Sequence, residues 1–247
     1  MRFLENIFQT ICEHFLPTAC ITCQEFQKFA ICTKCLSSLN SNALLNYQCC
    51  YQCGIALQAA ELINQHCAPC QSTQPSFDQT VCLDRYEGIL QSPLHELKYR
   101  KRIAFANALS STWNLVLGKE LENTPANYLL PVPLSTQKLA QRGFNQSWEL
   151  AKRIQCGSHI QKSPRILQRH HYSHHQAGSP LDSRLLAIQN MFYIEAKYIE
   201  SLKGKSVVVF DDVMTSGATL NEIARVLKDN GVSRVMNWVL LRAARPI

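Results

Sequence analysis

Val207-Val208-Val209-Phe210-Asp211-Asp212-Val213-Met214-Thr215-Ser216-Gly217-Ala218-Thr219 decides the fold of this chain. The four leading apolar residues suit a parallel strand buried on both faces, and two carboxylates stand at its carboxyl end. A loop of small hydroxyl residues and glycine follows, and Leu220 to Asn230 reads as a helix closed by Asn230-Gly231. Open α/β sheets bind ligands at the carboxyl ends of their parallel strands, so this turn is the first candidate site.

Each residue type has a chemical use there. Backbone N–H groups of Thr215, Ser216, Gly217, Ala218 and Thr219, unpartnered at a helix start, can wrap a phosphate, and the helix dipole favours the negative charge. Gly217 lets the backbone approach closely, while the hydroxyls of Thr215, Ser216 and Thr219 add donors without bulk. Asp211 and Asp212 are acceptors when ionised and suit the cis hydroxyls of a ribose or a hydrated magnesium ion. Phosphate on one side and diol on the other describe a ribose 5-phosphate. The stretch resembles the signature of the type I phosphoribosyltransferases, whose ligand is phosphoribosyl pyrophosphate (PRPP). A nucleoside-triphosphate loop is disfavoured, because Gly217-Ala218-Thr219 has alanine where that motif needs lysine.

At 247 residues, with 46% hydrophobic and 17% charged residues, the chain reads as an ordinary globular protein with material for one large or two modest domains. Its apolar runs are strand length, too short to span a bilayer. Met1 to Ala19 carries Glu5 and Glu13 within its apolar pattern, which argues against a signal peptide. Leu4, Ile7, Phe8, Ile11 and Phe15 recur at helical spacing, so residues 1–19 read as a short amphipathic helix docked on the rest, with membrane attachment as the alternative. Charge is uneven. Residues 1–80 hold three Lys/Arg against five Asp/Glu, a net of −2, and residues 81–247 hold 22 against 13, a net of +9. Phosphate-rich ligands or nucleic acid would be drawn to the second part. The densest basic run holds Lys98, Arg100, Lys101 and Arg102; it reads equally as a nucleic-acid contact and as a solvated helix face.

Ten of the twelve cysteines lie between Cys12 and Cys70, eight of them in Cys-x-x-Cys pairs: Cys20/Cys23, Cys32/Cys35, Cys50/Cys53 and Cys67/Cys70. Without a secretion signal the compartment is expected to be the reducing cytoplasm, where metal ligation is favoured over disulfides. Two such pairs give a tetrahedral Cys₄ site, so four pairs predict about two structural zinc ions. Grouping in chain order gives Cys20, Cys23, Cys32 and Cys35, then Cys50, Cys53, Cys67 and Cys70, a double zinc ribbon over residues 20–75; spacing leaves an interleaved pairing open. Gly54 favours Cys50 over Cys49 as the ligand.

Thr80 to Leu83 and Tyr128 to Leu130 read as strands, and apolar residues from Leu90 to Leu117 recur at helical spacing. Pro131-Val132-Pro133-Leu134 stiffens the exit of the second strand and fixes the shape of Ser135 to Lys138. Lys138 to Ser147 is expected to open a helix running through Leu150 and Ile154. Pro131-Val132-Pro133-Leu134, Arg142-Gly143-Phe144-Asn145-Gln146, Leu97-Lys98-Tyr99 and the Asp211-Asp212 turn occur in the order of the ComF family, which the chain resembles along nearly its whole length. That resemblance implies an α/β fold: a type I phosphoribosyltransferase-like parallel sheet with flanking helices over residues 76–247, preceded by the small cysteine-rich zinc module. Arg169, Gln176, Arg184 and Asn190 match a further stretch of the family, with Ser173 where threonine is more usual. His170, His171, His174 and His175 read there as a solvated loop rather than a metal or acid/base site.

By the same resemblance, Thr215 to Thr219 hold the 5-phosphate and Asp211 and Asp212 the ribose hydroxyls, directly or through magnesium. The loop of Pro133, Leu134 and Ser135 faces pyrophosphate, with Arg142 a candidate counter-charge. Purine-salvage relatives place an aspartate base where this chain has Thr215, so a purine acceptor handled in that way is disfavoured and the catalytic base stays unassigned. Two functions follow. One is a phosphoribosyl transfer to an unidentified acceptor with release of pyrophosphate. The other is a non-catalytic PRPP- or single-stranded-DNA-binding component of DNA uptake in natural competence, working beside a ComFA-like helicase.

Overall fold

The computed structural model describes residues 18–42, 44, 47–170 and 190–244. The expected N-terminal helix falls almost wholly outside them, as do His171, Ser173, His174, His175, Gln176 and Arg184. Strands β1 (Thr18–Ala19) and β2 (Phe26–Gln27) pair antiparallel and lead into helix α1 (Thr33–Asn42); a single 3₁₀ turn (Ala59–Glu61) precedes the short α2 (Ala68–Ser72). These pieces carry the paired cysteines. The chain then continues through β3 (Gln79–Arg85), α3 (Gln91–Tyr99), α4 (Ala104–Leu121), β4 (Tyr128–Pro131), α5 (Thr136–Arg142), α6 (Gln146–Ala151) and β5 (Gln161–Lys162). The hairpin of β6 (Leu167–Arg169) and β7 (Phe192–Ile194) follows, then a 3₁₀ turn (Ala196–Tyr198), α7 (Ile199–Leu202), β8 (Ser206–Met214), α8 (Ala218–Asp229) and β9 (Arg234–Arg242).

Strands β3, β9, β8, β4 and β5 lie side by side in that order, every pairing parallel. The central strand, β8, holds the Val207–Asp212 run. Its period of two sends Val208 and Phe210 into one core and Val207 and Val209 into the other. On the first face Trp113 of α4 meets Phe210 edge-on, with ring centroids 5.6 Å apart, and Leu94, Leu97 and Leu150 complete the packing. On the second face Leu220, Ile223 and Leu227 of α8 cover the sheet. Each core also takes in cysteines: Cys20 and Cys32 join the first, and Cys50, Cys53, Cys67 and Cys70 the second.

Two helices expected to be continuous are broken. The apolar pattern from Leu90 to Leu117 divides between α3 and α4, because Lys101 takes a left-handed backbone at φ 56°. The helix expected from Lys138 through Ile154 is likewise two. Helix α5 begins earlier, capped by Ser135 Oγ accepting from Lys138 N at 3.3 Å, and stops at Gly143 with φ 83°. Asn145 then caps α6, its Oδ1 accepting from Ser147 N at 2.9 Å and Trp148 N at 3.3 Å. Sequence periodicity runs on through both breaks, whereas a cap depends on one side chain and one φ. No described helix is long and apolar enough to cross a membrane.

Candidate functional site

The two acids occupy the last turns of the central strand, within its pairing to β9 rather than beyond it. Asp212 shares the face of Val208 and Phe210 and so points toward α3 and α6. Lys98 of α3 pairs with its Oδ2, the two side chains only 15% and 6% exposed, and Gln146 Nε2 donates to its Oδ1 at 3.3 Å. Ser147 Oγ donates to Asp211 Oδ1 at 3.1 Å, and Arg142 Nη1 donates to Gln146 Oε1 at 2.7 Å. Asn145 Nδ2 reaches the carbonyl of Val132 at 3.0 Å and ties the segment to the exit of β4. Arg142 through Ser147 is therefore a brace. The cap that ends α5 and starts α6 turns Gln146 and Ser147 onto the acids, Arg142 onto Gln146, and Asn145 onto the Pro131–Leu134 loop.

The acids titrate apart. Burial, followed by the charge of Asp212, pushes the Asp211 carboxyl well above the usual range. Burial also works against the charge of Asp212, but the Lys98 ammonium and the hydrogen bonds from Lys98, Asp211 and Gln146 outweigh it and hold that carboxyl low.

Beyond Met214 the chain turns through Thr215 and Ser216, both exposed, to Gly217 at φ 83°, the N-cap position of α8. Ala218 and Thr219 form its first turn, with Ser216 Oγ accepting from Ala218 N at 3.4 Å. The sequence thus places exposed hydroxyls and a helix start beside two acids at the sheet's carboxyl edge. Pro133, Leu134 and Ser135 follow β4 at the same edge and are half-buried. Arg142 is half-buried, stacked 5.4 Å over the ring of Tyr99 and bonded to Gln146.

Sequence reasoning gave Lys98 to the basic run and no role to Gln146, Ser147 or Arg242. Lys98 could have been singled out by helical phase, since it lies four residues after the buried Leu94 and turns inward, while Arg100, Lys101 and Arg102 are exposed. Arg242 had no local signal. It is a strand-end arginine that the parallel register sets opposite Met214.

The four sulfurs of Cys20, Cys23, Cys32 and Cys35 lie within 4.8 Å of one another, as do those of Cys50, Cys53, Cys67 and Cys70. The chain-order grouping is the one the fold makes. Cys23 and Cys32 approach to 3.8 Å and Cys53 and Cys67 to 3.5 Å, near the roughly 3.8 Å edge of a tetrahedron with zinc–sulfur bonds of about 2.3 Å. Each tetrad joins a tight turn, with Gln24 at φ 64° or Gly54 at φ 66°, to the start of a helix, α1 or α2. Helix-start N–H groups and neighbouring thiols favour thiolate. A hydrogen bond from Cys53 leads the causes that lower the Cys50 thiol to about 4, against its burial. Burial opposes the Cys20 thiolate, yet backbone N–H groups of Cys23, Cys32 and Thr22 bring it to about 6.

A groove of about 1320 Å³ lies alongside the first tetrad, lined by Phe26, Lys28 and Phe29 and by Arg100, Arg102 and Phe105. Phe26 and Phe29 are 82% and 63% exposed.

Residues 167–246 match the family model for the phosphoribosyl transferase domain. The chain is 30% identical to the DNA utilization protein YhgH of Salmonella typhimurium, with 92% of this chain and 98% of that protein aligned. It is 27% identical to competence protein F of Haemophilus influenzae, over 93% and 99% respectively. Among solved structures, the allosteric regulatory enzyme of purine biosynthesis is similar over 59% of this chain and 29% of its own, at 18% identity and a TM-score of 0.37.

Proposed function

The chain belongs to the ComF family, and from that premise we propose that it binds PRPP with magnesium at the carboxyl end of β8 and acts in DNA uptake during competence, in the cytoplasm. The observation that carries this reading is the join of the braced acid pair to the glycine-started helix α8. Amides of Thr215 to Thr219 take the 5-phosphate, and Asp211 and Asp212 take the ribose hydroxyls. Pro133, Leu134 and Ser135 face the pyrophosphate, whose charge Arg142 meets by swinging from Gln146. Magnesium, if bound, would be held by Asp211 and Asp212 and would neutralise the charge that leaves with pyrophosphate. Transfer breaks the anomeric C–O bond to pyrophosphate and forms a C–N bond, the nitrogen's proton passing to solvent. The cysteine tetrads fit zinc, two ions per chain, as structural metal for a module over residues 20–75 that precedes the phosphoribosyltransferase-like domain of residues 76–247.

A second reading rests on the groove beside the first tetrad. Exposed aromatic rings alternating with basic side chains suit the stacked bases and phosphates of single-stranded DNA. Under it the protein holds PRPP without transfer and hands DNA to a ComFA-like helicase. Pyrophosphate release, measured with each nucleobase and with and without single-stranded DNA, separates the readings. Release with any acceptor supports the enzyme, and PRPP binding without release supports the second reading.

A further inference from the structure

Arg242 is only 6% exposed, and among the described residues no carboxylate pairs with it. Its guanidinium is instead spent on carbonyls from three segments. Nε donates to Cys53 at 2.9 Å, and Nη1 donates to Met214 at 3.0 Å, to Ala243 at 2.9 Å and to Thr215. Cys53 belongs to the second tetrad, and Met214 and Thr215 lead into the phosphate loop. Burying a cation without a counter-charge is costly, and carbonyl dipoles offset only part of that cost. Two anionic centres are placed to supply the remainder. One is the second tetrad, which as four thiolates around a divalent zinc carries a net charge of −2. The other is a phosphate held at Thr215 to Thr219. Close packing already locks these regions together: a Cβ on Gly54 would lie 2.7 Å from Cys82 Sγ of β3, so the knuckle backbone sits directly on the sheet. Thr80 N of β3 donates to the carbonyl of Tyr51 within the same knuckle at 3.1 Å.

We propose that Arg242 is a positioning residue that couples the Cys50/Cys53/Cys67/Cys70 tetrad to the phosphate loop, so that metal in the second tetrad sets the loop's shape and a phosphate in the loop tightens the tetrad's hold on its metal. The phosphate half of this coupling rests on the PRPP reading; the link between tetrad and loop does not. The coupling is reciprocal by thermodynamic necessity. Arginine suits it because a planar fork spans several carbonyls, which a lysine ammonium on a flexible stem does not.

The test uses the zinc-loaded full chain and Arg242→Lys, which keeps the charge and loses the fork. Amide hydrogen exchange without ligand should quicken in Arg242→Lys both at residues 213–219 and at residues 50–55, while residues 20–35 exchange as in the wild type. Chelator extraction should then show PRPP with magnesium slowing release of one zinc of two in the wild type, by about tenfold within the usual range of coupling, and of neither in the variant. Exchange unchanged at either segment would overturn the link whether or not PRPP binds. Loosening of both segments in Arg242→Lys, together with no PRPP binding by the wild type, would uphold the link and overturn the PRPP assignment. If Arg242→Lys fails to fold, Arg242→Gln and selective zinc extraction from the wild type give the same exchange readout; a loop that keeps its protection after the second zinc is gone would overturn the proposal.

Discussion

The first cysteine tetrad leaves Cys23 exposed and Cys35 half-buried, whereas all four cysteines of the second are buried. Both are built from two Cys-x-x-Cys pairs, yet the surroundings differ. The first tetrad packs over α3 and α4 on one face of the sheet, with an open groove alongside. The second shares the other core with α8 and is hydrogen-bonded through Arg242 to Met214 at the end of β8. One motif repeated in a sequence can therefore meet two environments, an open groove beside one copy and the second core of the sheet around the other.

Removing a ligand from each tetrad probes that difference with the largest expected effect. Cys53→Ser should lose one zinc of two and lower the melting temperature by about 10 °C or more, because metal binding carries folding energy for a segment with little apolar area. Cys23→Ser should also lose one zinc, melt closer to the wild type and keep the protection of Thr215 to Thr219 from hydrogen exchange. Equal losses from the two variants, read by elemental analysis and calorimetry, would erase the distinction.

Next in size is Asp212→Asn, which strands Lys98 in the core and should cost about 3 kcal/mol in denaturant unfolding. Adding Lys98→Met should restore much of that loss, the signature of a coupled pair. No recovery would mean that the acid is stabilised by something other than Lys98. Gly217→Ala is expected to cost about 1–2 kcal/mol, because a left-handed φ of 83° strains any side chain; the Met214 methyl that a Cβ would approach at 2.6 Å can move aside. The second core's outer edge carries the smallest effect. Glu222 accepts from Arg225 Nη2 and Nε at 2.8 and 2.9 Å and from Asn190 N at 2.8 Å; Arg225 leads the causes that hold its carboxyl below the usual range. An acid with a depressed pKa stabilises the fold above its unfolded value, near 4.5, and that contribution fades as pH falls through the folded value. Glu222→Gln should thus cost about 1 kcal/mol at pH 7 and converge on the wild type in strong acid, as followed by urea titrations across pH.

The parts of the molecule that sequence made legible are those written in local pattern. A run of valines gave the central strand and its position in a parallel sheet, and Cys-x-x-Cys spacing gave the tetrads. The acids and the small-residue loop stood out as an unbroken run of the residue types that phosphate and diol recognition would use. What stayed hidden depends on phase and register. Lys98 lies inside a basic run, but one turn of α3 aims it at Asp212 while its neighbours face solvent. Arg242 meets Cys53, 189 positions earlier, only because β9 pairs with both β3 and β8. The break between α5 and α6 was hidden because Gly143 and Asn145 interrupt the backbone without interrupting the apolar period.

Calorimetric titration of PRPP with magnesium into the wild type and Asp211→Asn tests the site most directly. Asparagine keeps the oxygen that accepts from Ser147 Oγ, and Asp211 holds no ion pair among the described residues, so the variant should melt within a few degrees of the wild type. The expected result is binding by the wild type and its loss in the variant at unchanged zinc content. No wild-type binding at millimolar PRPP, or equal binding by the two proteins, would contradict the assignment of the Asp211-Asp212 turn as a PRPP site.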